Sequence, residues 1–235
     1  MSTISHNLQA VTQAIVAATA EAQRSPGSTR LLAVSKTFGA DAVLTAVEAG
    51  QRAFGENYLQ EGVDKIRAVR EALPGQQLEW HFIGPIQSNK TRPIAEHFDW
   101  VHTVEREKIA QRLSEQRPDG LARLNICLQV NISGEASKSG VAPGDVLALA
   151  RQVATLPKLQ LRGLMAIPEP TDDESEQRAA FRRMRELFDS LRAEGLELDT
   201  LSMGMSADMR AAILEGATIV RVGSAIFGAR SYNKG

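Results

Sequence analysis

Eight short apolar runs, separated by stretches long enough for crossover helices, constrain this chain more than any other feature of its sequence. They are LLAVSK at 31–36, RAFG at 52–55, WHFIG at 80–84, WVHTV at 100–104, NICLQV at 125–130, LRGLM at 161–165, DTLSM at 199–203 and TIVRVG at 218–223. Runs of this length bounded by turn residues read as strands, and parallel neighbours require crossovers. Over 235 residues the eight units average about 29 residues each, near the compact minimum for a βα unit. The expected fold is α/β, a single (β/α)8 TIM barrel filling 1–235. A doubly wound sheet could use the same elements, but the first turn lacks GxGxxG and the chain has no P-loop lysine motif.

Two helices outline the periphery. Leu8, Val11, Ile15 and Ala18 fall on one stripe of a helix predicted over 6–24, ahead of the first strand. In RAAFRRMRELF at 178–188, Phe181, Met184, Leu187 and Phe188 share a buried face while the arginines ride outside. The polar run PEPTDDESEQ at 168–177 lies between a strand signal and this helix, so it reads as a loop and not as a domain boundary.

Composition removes several classes of function. Lys and Arg number 27 against 28 Asp and Glu, leaving no global attraction for nucleic acid. Cys127 is the only cysteine, which excludes an internal disulfide and a cysteine-rich metal site. The four histidines have no metal-ligand spacing; His81 and His102, near strand ends, suggest structural hydrogen bonds. The first thirty residues lack a basic leader and no segment approaches 18 consecutive apolar residues, so a cytoplasmic protein with no membrane contact is expected.

A barrel gathers its chemistry at the C-terminal ends of its strands. Lys36 continues the inward parity of Leu32 and Val34, where partial desolvation would free its amine to attack a carbonyl. A lysine snorkelling from a strand rim gives the same pattern. At the other end of the chain, Ser206 is expected to cap a helix beginning near Ala207, and Gly223 with Ser224 forms a small-residue turn after the last strand. Both turns occupy the phosphate-binding region of barrels. Arg221 either faces a ligand ring or pairs with a carboxylate. A lysine and a phosphate site together suit pyridoxal 5'-phosphate (PLP) or a phosphosugar substrate.

Read jointly, SKTF at 35–38, FGENYLQE at 54–61, WHFIGPIQSNK at 80–90, VNISGEASKSG at 130–140, LSMGMSADM at 201–209 and VRVGSAIFG at 221–228 resemble the pyridoxal phosphate homeostasis proteins. The resemblance covers nearly the whole chain; Ile86 stands where the family more often has leucine. It implies an alanine-racemase-like barrel carrying PLP without robust turnover. Lys36 would form the internal aldimine and Asn57 and Met203 would line the site. Ser206, Gly223 and Ser224 would hold phosphate, and Arg221 would face the pyridine nitrogen. Lys138 is implied as a second amine near the mouth, with an ordinary loop lysine as the plainer reading, and Asn89 and Lys90 either border the mouth or solubilise the next helix.

The resulting expectation is a PLP carrier in vitamin B6 homeostasis, a monomer whose transient partners are apo-enzymes that use PLP. A PLP-dependent racemase or decarboxylase is the main enzymatic alternative. Such racemases resemble this chain in the barrel but add a β-rich domain with a proton-transferring tyrosine, and Tyr58 and Tyr232 are unconvincing replacements. A lysine-dependent phosphosugar lyase and a structural adaptor explain fewer of the motifs.

Overall fold

All eight apolar runs form strands, and these close into one parallel barrel in chain order. In the computed structural model, which describes residues 2–229, β1 is Arg30–Val34, β2 Ala53–Glu56, β3 Glu79–Phe82, β4 Trp100–Val104, β5 Leu124–Gln129, β6 Leu159–Met165, β7 Thr200–Ser202 and β8 Ile219–Val222. β1 pairs with both β2 and β8, which closes the cylinder. Tyr232 lies outside the described residues.

Around the barrel run α1 (Thr3–Glu21), α2 (Ala40–Glu48), α3 (Leu59–Ala72), α4 (Thr91–His97), α5 (Glu107–Gln116), α6 (Val146–Ala154), α7 (Glu174–Ala193), α8 (Met209–Leu214) and α9 (Ser224–Phe227). The α1 stripe is buried as its spacing predicts, with Leu8, Val11, Ile15 and Ala18 inside, packed against α2, α8 and α9. This helix ends short of residue 24 because Gln23 adopts a left-handed backbone, φ 55°. α7 buries Phe181, Met184 and Phe188, while Arg178 and Arg182 reach Glu215 on the outside.

The run at 168–177 is only partly a loop. Asp173 accepts hydrogen bonds from the amides of Ser175 and Glu176 and starts α7 at Glu174, so the last four residues are helical. Such a cap contributes about 1 kcal/mol, and Glu174 and Glu176 in the first turn complement the helix dipole.

Strand alternation sorts the core into two layers. Leu32, Val34, Ile83, Trp100, Cys127, Met165 and Ile219 fill the barrel interior. A larger apolar layer, including Phe54, Trp80, Phe98, Phe181 and Leu201, lies between strands and helices. No helix among the described residues is long and apolar enough to cross a membrane.

Candidate functional site

β1 stops at Val34, two residues before the predicted end, and Lys36 sits in the turn that follows. Its neighbours are tied down on both sides. Ser35 donates its hydroxyl to Glu56 Oε1 at 2.6 Å, and its carbonyl accepts from Lys65 Nζ at 2.7 Å. The amide of Thr37, at φ 69°, donates to Glu61 Oε1 at 2.5 Å. Lys65 joins the two carboxylates, at 2.6 Å from Glu56 and 3.0 Å from Glu61. Lys36 itself is half-buried.

The turn after β8 meets the turn after β1. A Cβ on Gly223 would stand 3.1 Å from the Val34 carbonyl oxygen, so the missing side chain lets the two strand ends press together. Phe38 and Phe227 stack across the same seam with centroids 5.2 Å apart. Ser224 opens α9 and is exposed, with Gly223 in the cap position. The structure therefore brings Lys36, Gly223 and Ser224 to one rim of the barrel.

Arg221 is 4% exposed and projects from β8 into the barrel interior, on the same face of the strand as Ile219. Nη1 donates to Ser202 Oγ at 2.7 Å and Nη2 to the Ala166 carbonyl at 3.0 Å, so its donors meet a hydroxyl and a carbonyl where a carboxylate was the alternative. Burial lowers its pKa to about 10, with Asp208 and Cys127 pulling the other way; the guanidinium stays cationic at neutral pH.

Asn57 follows β2 directly and lines a cavity of about 240 Å³ with Ile83, Thr103, Gln129, Ser139 and Ile167. Its Oδ1 is buried and has no hydrogen-bond partner among the described residues. Gly84 fixes its backbone: a Cβ there would lie 2.1 Å from the Asn57 carbonyl oxygen, and Thr103 Oγ1 donates to the Gly84 carbonyl at 2.6 Å. Lys138, half-buried, occupies the loop beside Ser139. Asn131 shapes that loop by donating to the carbonyls of Glu135 and Lys138. A larger cavity, about 700 Å³, lies by Arg162, Arg192 and Asp199, away from these strand tips; volume alone does not locate the site.

Two expectations need adjustment. Ser206 does not cap α8: the helix begins at Met209 behind Asp208, whose carboxylate accepts the Met205 amide at 2.6 Å, leaving Ser206 exposed in the turn. Met203 is fully buried in the layer between strands and helices, because Ser202 takes the inward parity. Asn89 and Lys90 form a short 3-10 turn ahead of α4. Sequence reasoning did not single out Ser202, Gly84 or Thr103; the alternation through DTLSM and the IGP turn were the available signals.

The family described as alanine racemase, N-terminal domain, matches residues 3–231. The pyridoxal phosphate homeostasis protein of Pseudomonas aeruginosa is 63% identical over 99% of this chain and 98% of its own length. The chain belongs to the pyridoxal phosphate homeostasis protein family. The homeostasis protein of Escherichia coli is 55% identical over 100% of both chains. Among solved structures, PipY of Synechococcus elongatus with PLP bound superposes with a TM-score of 0.82 at 38% identity, covering 96% of this chain and 100% of that one. Alanine racemase from Corynebacterium glutamicum, at 20% identity and TM-score 0.69, shares the barrel over 59% of its chain.

Proposed function

We propose that this chain binds PLP at the C-terminal mouth of its barrel and serves PLP homeostasis, with Lys36 as the covalent anchor. When bound, PLP supplies an electrophilic aldehyde at one end and a phosphate dianion at the other. The residues present suit both ends. Lys36 offers the amine; the backbone and hydroxyls around Ser206, Gly223 and Ser224 offer phosphate donors in the strand 7–8 region; Asn57 Oδ1 is a buried acceptor in need of a partner. Met203 backs this rim from the outer layer.

The observation that carries the reading is the buried guanidinium of Arg221 in the barrel interior, on the strand whose end abuts the strand leading to Lys36. A permanent cation donating to a pyridine nitrogen keeps that nitrogen unprotonated and the ring a weak electron sink. This favours holding and handing on PLP over rapid amino-acid turnover, and it ranks the racemase or decarboxylase second. The recipients are apo-enzymes that use PLP, met by a monomeric, cytoplasmic carrier working as one barrel domain.

The test is delivery. Protein loaded with PLP is mixed with an apo-aminotransferase while a scavenging phosphatase destroys free PLP. Recovery of aminotransferase activity above that from an equal amount of free PLP supports the carrier; recovery no better than free PLP contradicts it.

A further inference from the structure

Inside the barrel, two fully buried histidines lie in a line with Arg221. Nη1 of Arg221 donates to Ser202 Oγ at 2.7 Å; Ser202 Oγ lies 2.8 Å from His102 Nδ1; His102 Nε2 lies 2.8 Å from His81 Nδ1; and His81 Nε2 lies 3.0 Å from Glu79 Oε1. The ends of the line fix its direction. Arginine only donates and a carboxylate only accepts. Ser202, accepting from Arg221, has one hydrogen left, and the His102 ring is the neighbour that takes it. His102 Nε2–H then donates to His81 Nδ1, and His81 Nε2–H to Glu79. Each of the four contacts holds one hydrogen, and both imidazoles are neutral.

We propose that Glu79, His81, His102 and Ser202 are positioning residues for Arg221, a one-way hydrogen-bond relay that locks both histidines as Nε2–H tautomers and holds the guanidinium in its ligand-facing pose. The proposal rests on the PLP reading for what Arg221 faces. It ties the ring-nitrogen end of that site to the opposite mouth of the barrel, where Glu79 is partly exposed beside Arg30.

The surroundings support neutral rings. His81 stacks on Trp100 at 5.2 Å and 10° between planes, and Arg162 covers that indole at 4.6 Å from the ring centroid. The charged groups facing His81 are Glu79, Arg30 and Asp99, and those facing His102 are Arg221 and Arg30, with His81 as its titratable neighbour. Burial holds both histidines below their ordinary range. The hydrogen bond from His81 holds the Glu79 carboxyl down at about 2, so it accepts throughout the neutral range.

The experiment reads ring nitrogens. In PLP-free protein with 15N-labelled histidine, His81 and His102 are each expected to show a protonated Nε2 and a bare Nδ1, unchanged between pH 6.5 and 8.5. Glu79→Gln keeps an acceptor oxygen and should preserve this pattern. Glu79→Leu removes it, far from the bound ring, and should mix the tautomers of both histidines, move the ring-nitrogen signal of bound 15N-PLP and weaken PLP binding about five-fold. An Nδ1–H tautomer or an imidazolium in the unmodified protein overturns the relay, as does Glu79→Leu with unmoved histidine and PLP signals. Failure of the unmodified protein to take up PLP overturns the PLP reading instead, and the PLP-free histidine spectra tell the two failures apart.

Discussion

Ser35 donates its hydroxyl to Glu56 Oε1 across 2.6 Å, which fixes the backbone one residue before Lys36 to the end of the neighbouring strand. The same carboxylate receives Lys65, whose ammonium also bonds the Ser35 carbonyl and Glu61. Burial raises the Glu56 carboxyl despite Lys65 beside it. Lys65 is the cation shared by both carboxylates, and Glu56 Oε2 is buried without a hydrogen-bond partner among the described residues, so the buried charge of Glu56 depends on Lys65 and Ser35. A lysine expected to trap an aldehyde gains from this, because its backbone is set before any ligand arrives.

Removing Lys65 should expose that dependence. Lys65→Met leaves Glu56 buried without its cation, and we expect a loss of about 3–5 kcal/mol in urea denaturation. The double variant Glu56→Gln with Lys65→Met should recover much of it. A loss below about 1 kcal/mol would show that the pair is not coupled to folding.

The buried histidines give stability a pH dependence of definite sign. Burial lowers the pKa of His81 and His102 in the folded state, and His97 moves the same way. Below the ordinary value of about 6.5 the unfolded chain therefore binds more protons than the folded one. Stability from these groups is full above pH 7 and falls as pH drops toward 5. Glu79 adds a separate loss only below the ordinary carboxylate range, toward about 2. Glu56 and Asp208, raised by burial, take up protons more readily in the folded state and work in the opposite sense. The histidine share is therefore read by difference: the urea midpoint should fall more between pH 7.5 and 5 in the unmodified protein than in His81→Asn, and equal falls contradict a neutral buried His81.

Much of this was legible in the sequence. Strand parity through LLAV placed Leu32 and Val34 inside the barrel, and the stripe in α1 was readable because helix and strand periods differ. Less visible was anything set by cross-strand meetings. Nothing local in DTLSM says that Ser202 meets both His102 and Arg221, which are 100 and 19 residues away. α8 starts only at Met209, and the Asp208 carboxylate before it accepts the Met205 amide of the preceding turn without capping the helix, an arrangement that the spacing of Ser206 and Ala207 left undecided.

Gly84 offers a test of the wall behind Asn57. A methyl group at this position meets the Asn57 carbonyl at 2.1 Å, a contact that only a backbone shift relieves. Gly84→Ala should cost about 1–3 kcal/mol, read as a lowered thermal midpoint, and weaken PLP uptake. Unchanged PLP affinity in a folded variant would remove Asn57 from the site.

Cys127 should be chemically silent. It is fully buried in the barrel interior, and burial pushes its thiol up to about 12. A disulfide reagent at pH 8 should react at the rate of unfolding in native buffer and at once in denaturant. Immediate reaction with native protein would mean that the interior opens readily.

Borohydride reduction of the PLP-loaded protein followed by peptide mass mapping, with Lys36→Ala alongside, tests Lys36 as the anchor most directly. A reduced pyridoxyl group on the peptide containing Lys36, absent from the folded variant, is the predicted result. A reduced group on another lysine, or an equal yield from Lys36→Ala, would contradict Lys36 as the anchor.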